Sequence, residues 1–154
     1  MANIEQSIDV EVPVRTAYNQ WTQFEEFPRF MEGVEEIRQV DDTHTHWRTK
    51  VAGREKEFDA VITEQTPDQR IAWTSDSGPE HAGVVTFHRL DERRTRVMVQ
   101  MDYEPEGVAE KVGDALGLVT RRVKGDLERF KELIESRGAE TGGWRGEVDQ
   151  TATS

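Results

Sequence analysis

Cysteine is absent from the chain, which excludes disulfides and thiolate chemistry. No apolar stretch comes near the roughly 18 residues that would suggest a membrane helix. The N-terminus, MANIEQSIDV, has no basic segment followed by an apolar block, so no secretory signal is expected. There is no glycine-rich phosphate loop, and no Ser/His/Asp spacing of the kind used in hydrolysis. Positive charge is in deficit. Against 31 acidic side chains stand 20 lysines and arginines, a net charge of −11, which disfavours nucleic acid and anionic membrane surfaces as partners. These absences leave a cytoplasmic protein with no membrane insertion. Its 154 residues are enough for one domain with a real core.

What is present centres on one long helix near the C-terminus, expected over 108–136. Val108, Val112, Leu116, Val119, Val123, Leu127, Phe130 and Ile134 recur in steps of three and four, which holds a single apolar stripe on one side. The other side carries Glu110, Arg121, Arg122, Glu128, Lys131, Glu132 and Glu135. Gly138 is a suitable stop. A rod of about 29 residues is roughly 40 Å long and needs a wide partner surface. Gly113 and Gly117 flank the stripe. They fit either close packing against a strand or room left for a ligand.

The preceding chain offers that surface. Ile4, Ile8, Val10 and Val12 alternate with polar residues over 3–12, a first strand that Pro13 ends. Val14, Ala17, Tyr18, Trp21 and Phe24 then keep helical spacing, and a second short helical piece from Glu25 to Met31 is broken by Pro28. Residues 33–42 read as a strand with a bulge, because Val34, Ile37 and Val40 do not keep a period of two. A two-residue turn at Ala52-Gly53 sets Lys50 opposite Glu55, Arg48 opposite Glu57 and His46 opposite Asp59, with Trp47 facing Phe58 on the other side. Thr66-Pro67-Asp68-Gln69 suits a type I turn, which pairs Ile62 with Trp73 and Ala60 with Ser75. Strands over 80–90 and 97–103 follow. The fold class is therefore α+β. A curved antiparallel seven-stranded sheet wraps around the long helix, with two short helices after the first strand. The domain spans 1–138, and the polar, glycine-rich residues 139–154 read as a disordered tail with Trp144 as its one apolar anchor.

This order resembles the SRPBCC superfamily, the START-like or helix-grip fold, and within it bacterial proteins of the polyketide cyclase/dehydrase group. The stretches that carry the resemblance are SIDVEVPVRTAYNQWTQFEEFPRFMEGVEEI, REKEFDAVITEQTPDQRIAW, AGVVTFHRL and GDLERFKELIESRG. It implies a deep cavity between sheet and helix, and a fold shared by lipid carriers, aromatase/cyclases, quinone binders and chaperone-activating domains. The tetracenomycin-type aromatase/cyclases use a strand arginine and a tyrosine after the short helices; the matching positions here are Ile62 and Val34, and a tryptophan of theirs becomes Phe27.

The expected cavity residues are Tyr18, Trp21, Phe27, Phe30, Trp47, Thr49, Phe58, Trp73, Ser75, Phe87, Met101, Tyr103, Leu116 and Val119. Apolar walls with a few placed polar groups are the usual character of small-molecule sites. Tyr18, Tyr103 and Lys56 are the candidate acid/base groups should the chain catalyse a polyketide cyclisation or dehydration. His44 and His46 share one strand face, but an outward one, so no metal site is expected. No cofactor is implied. The expected partner is a small hydrophobic molecule: a lipid, an isoprenoid or quinone, or a polyketide-like aromatic.

Overall fold

A computed structural model describes residues 2–51, 54–76, 81–103 and 112–149, with side chains over 3–50, 55–76, 82–102 and 120–148. Eight strands and two α-helices occur in it. They are β1 (Ala2–Val10), α1 (Val14–Trp21), a 3-10 helix (Phe24–Arg29), β2 (Val34–Gln39), β3 (His44–Val51), β4 (Arg54–Thr66), β5 (Arg70–Ser75), β6 (His81–Asp91), β7 (Arg94–Tyr103), α2 (Val112–Arg137) and β8 (Val148–Asp149). No helix among the described residues is long and apolar enough to cross a membrane.

Seven strands form one antiparallel sheet in the order β1-β7-β6-β5-β4-β3-β2. Chain neighbours pair by hairpins, and β1 closes onto β7. The expected register holds in the central hairpin: Lys50 faces Glu55, Arg48 faces Glu57, His46 faces Asp59 and Trp47 faces Phe58. Ile62 faces Trp73 and Ala60 faces Ser75. The expected bulge in β2 falls between Val34 and Glu36. The β4–β5 turn departs from expectation. Gln69 donates its N–H to the Thr66 carbonyl (3.0 Å), but Asp68 has φ 63°, a left-handed value that a type I turn does not use and that aspartate tolerates.

Helix α2 crosses the concave face. Leu127, Phe130 and Ile134 are buried on its inner side, and residues 108–111 and the setting of Gly113 and Gly117 lie outside the described residues. Side chains moor the helix at two places. Near its end, Lys131 donates to the Asp9 carbonyl (2.9 Å) and Glu135 accepts from the Glu11 N–H (2.7 Å). Further back, Arg129 donates to the Phe30 carbonyl (2.8 Å) and Asp126 accepts from the Glu32 N–H (3.2 Å). Gly138, at φ 72°, closes the helix with its N–H on the Ile134 carbonyl, the single-bond left-handed cap that glycine adopts without strain.

The tail is the main correction to the fold. Residues 139–149, expected to be disordered, run along α1 and end as β8, which pairs Val148 with Gln65 and Asp149 with Glu64. The physical cause is twofold. Pairing of β3 with β4 reaches only to His44 opposite Val61, so the β3-side edge of β4 is vacant beyond that point and takes a strand. In addition, Asn19 and Gln20 of α1 and the Thr22 that caps it are buried, and their polar groups need partners. Gln20 exchanges hydrogen bonds with Thr141, Asn19 accepts from Arg145, and Thr22 accepts from the Trp144 N–H. Gly143 passes so close that a Cβ there would lie 2.8 Å from Asn19 Cγ. A tail glycine that suggested disorder therefore serves close approach.

Candidate functional site

Aromatic side chains from α1 and the 3-10 helix converge on α2. Trp21 stands edge-on to Phe130 (centroids 4.9 Å) and to Phe27 (5.4 Å), and Phe30 stands edge-on to Phe130 (5.2 Å). Each such pair adds about 0.5–1.5 kcal/mol beyond burial. This cluster fixes one end of a cavity of about 240 Å³ that lies between the sheet and α2.

On the cavity wall stand Trp21 and Phe27, Trp47 and Thr49 of β3, Trp73 of β5 and Met101 of β7, all expected there from the sequence. Others do not reach it. Phe30 and Phe87 are buried in the surrounding core, Phe87 edge-on to Tyr18 at 5.4 Å. Phe58 lies stacked on Trp47 (centroids 5.6 Å, planes 16° apart), and neither Ser75 nor Lys56 is on the wall. The side chains of Tyr103, Leu116 and Val119 lie outside the described residues.

Tyr18 is placed away from the cavity, under the tail. Its ring meets the Arg145 guanidinium at 5.6 Å, and Arg145 also pairs with Asp68 (2.7 Å). Burial pushes the Tyr18 hydroxyl above its ordinary pKa, and the neighbouring Gln65 amide opposes that shift. The two groups are close, yet neither the Tyr18 hydroxyl nor Gln65 Nε2 meets hydrogen-bond geometry. This tyrosine is a core and tail contact; it does not face a ligand in the cavity.

The wall also includes residues absent from the expected set. Ala60, Ile62, Ile71, Val85 and Val99 continue the apolar floor. Their alternation along β4, β5, β6 and β7 is the signal that marks them. Ile62, the position the resemblance matches to the cyclase arginine, is 3% exposed and apolar. Trp73 lies across Gly83 so closely that a Cβ at Gly83 would be 2.6 Å from the indole, so the ring position depends on that glycine. Helix α2 contributes Arg122, Val123, Asp126 and Leu127. Arg122, read from sequence as part of the outer face, stands at the border of the stripe, three residues after Val119 and four before Asp126. Burial pushes the Asp126 carboxyl pKa up; hydrogen bonds from Arg129 and from the Glu32 N–H oppose this. The hydroxyl groups are already engaged. Thr45 accepts from Trp47 Nε1 (2.8 Å), and Thr49 donates to the Lys56 carbonyl (3.4 Å).

On the convex face, His46 binds Asp59 (2.7 Å) and approaches Glu57 (3.4 Å). The Asp59 hydrogen bond, then that of Glu57, raises its pKa.

Residues 10–132 match the family described as polyketide cyclase/dehydrase and lipid transport. The chain belongs to this family. A polyketide cyclase/dehydrase family chain of this kind also has a near full-length relative. It is 66% identical over 149 residues (96% of this chain, 99% of the relative) to an uncharacterised 17.2 kDa protein from the melC2-rnhH intergenic region of Streptomyces lincolnensis. Among solved structures, the Zhui aromatase/cyclase of Streptomyces sp. R1128 is 16% identical with a TM-score of 0.74, covering 93% of this chain and 99% of that one. A START superfamily protein of Mycobacterium smegmatis is 11% identical with a TM-score of 0.66, covering 82% and 97%. At such identities the likeness is one of fold: this family member has the START-like, helix-grip architecture.

Proposed function

We propose that the protein is a cytoplasmic binding protein that takes up one compact hydrophobic molecule, a one- or two-ring aromatic of polyketide-like character, between the sheet and α2. The carrying observation is a cavity of about 240 Å³ walled by Trp21, Phe27, Trp47, Trp73 and Met101. A cavity of roughly 150 Å³ already accommodates benzene, and drug-sized ligands occupy about 300 Å³ or more. The size therefore suits a small ring system better than a long acyl chain. The family description, which joins polyketide cyclase/dehydrase with lipid transport, supports a hydrophobic ligand.

Native mass spectrometry of freshly purified protein, followed by denaturing extraction, tests this. The expected result is one low-mass apolar compound per chain. A protein that purifies empty is expected to take up one equivalent of 2-naphthamide. Protein that is empty and refuses both this probe and 2-naphthoate contradicts the reading.

A further inference from the structure

We propose that Arg122 makes the cavity selective for ring compounds bearing a carboxylate. This inference rests on the cavity being a ligand site. Arg122 stands on the wall beside Val123, with Trp21 and Met31 also on that wall. Among the described residues it has no hydrogen bond and no ion pair. The other arginine on the side of α2 near the 3-10 helix is fully engaged: Arg129 binds the Phe30 carbonyl, the Asp126 carboxylate and, at 3.5 Å, Glu32. Asp126 is the one acidic side chain among the described wall residues. It already accepts from Arg129 and from the Glu32 N–H, and Arg122 acts on it only through space.

Among the described residues the wall thus carries one cation without a hydrogen-bond or ion-pair partner, in a chain whose net charge is −11. Its guanidinium donors are therefore left to water or to a ligand acceptor, since the nearby Asp126 acts on it only through space. An anionic ligand on the wall can take them. The planar fork of a guanidinium matches the two oxygens of a carboxylate, which a point charge does not. The aromatic wall takes the ring and Arg122 takes the acid, so the ligand class is a compact aromatic acid.

The test compares two probes of the same ring and nearly the same shape, 2-naphthoate and 2-naphthamide, by calorimetric titration at pH 7 in low salt. Wild-type protein is expected to bind the acid roughly tenfold or more tightly than the amide, as for a hydrogen bond to a charged group. Arg122→Gln is expected to bring the ratio close to one, and Arg122→Lys to leave it in between. Raising the salt concentration is expected to shrink the wild-type ratio. Thermal melts check that each variant is folded. Equal affinity for both probes in the wild type, or a ratio untouched in folded Arg122→Gln, overturns the role of Arg122 while the cavity reading stands. Failure of both probes to bind overturns the cavity reading and this inference together.

Discussion

Two side chains on opposite faces of the sheet show how much single positions decide. Gly83 keeps the Trp73 indole flat across β6, since a Cβ there would lie 2.6 Å from the ring and 3.0 Å from the Gln100 carbonyl. Gly83→Ala is expected to displace the ring, to cost about 1–3 kcal/mol from overpacking, and to weaken probe binding. A thermal melt together with a naphthamide titration checks both effects. On the convex face, His46 has its pKa raised by Asp59 and Glu57. A folded-state pKa above the unfolded value of about 6.5 means stabilisation that is complete below that value and lost as pH rises through the folded pKa. Melts of wild type and His46→Gln are expected to differ more at pH 5.5 than at pH 8.5. The gap at low pH is at most about 1 kcal/mol, since Asp59 is half exposed and water screens the pair. A gap that is constant with pH, or larger at pH 8.5, contradicts this assignment.

At the scale of elements, the tail is the part whose role was hidden. Its order rests on contacts that are remote in sequence: Thr141 with Gln20, Arg145 with Asn19 and Asp68, Val148 with Gln65. Truncation after Gly138 removes the buried Val148 and the partly buried Trp144. It also leaves Asn19, Gln20 and Thr22 without those partners. The expected loss is roughly 2–4 kcal/mol, from one buried aliphatic side chain, part of an aromatic one, and orphaned polar groups. Chemical denaturation of the truncated chain measures it, and unchanged stability contradicts the strap-like placement of 139–149. The same comparison explains what was legible in the sequence. Opposite charges and an aromatic pair across Ala52-Gly53 constrain one register, because a slip of one residue turns every side chain to the wrong face. The stripe on α2 is legible for the same reason of period. The tail is polar and glycine-rich, and what orders it is a vacant stretch of β4 edge and three buried polar side chains at the C-terminal end of α1. Neither appears until the fold is assembled. Arg122 borders the stripe, where periodicity does not determine which way a long side chain turns.

For the whole molecule, the sheet and α2 are held apart by design of the wall. The aromatics at one end fill the space between them, while beyond Trp21 and Phe27 a cavity remains. Six of the sequence-expected residues reach that cavity, and Tyr18, Phe30, Phe58, Ser75 and Phe87 do not. The reason is that inward-facing aromatics can pack against each other as well as around a void, as Tyr18 and Phe87 do, and alternation alone does not separate the two. The fold is common to aromatase/cyclases and other START-like proteins, and the chemistry of this wall is its own.

The measurement that addresses the central claim most directly is calorimetric titration of 2-naphthamide into wild type and into Ala60→Phe. Ala60 lies on the cavity floor and is 2% exposed, so a phenyl ring there occupies the space assigned to the ligand. The account predicts saturable binding of one molecule per chain in the wild type and its loss in a folded Ala60→Phe. Equal binding by both proteins would place the probe elsewhere and contradict the account.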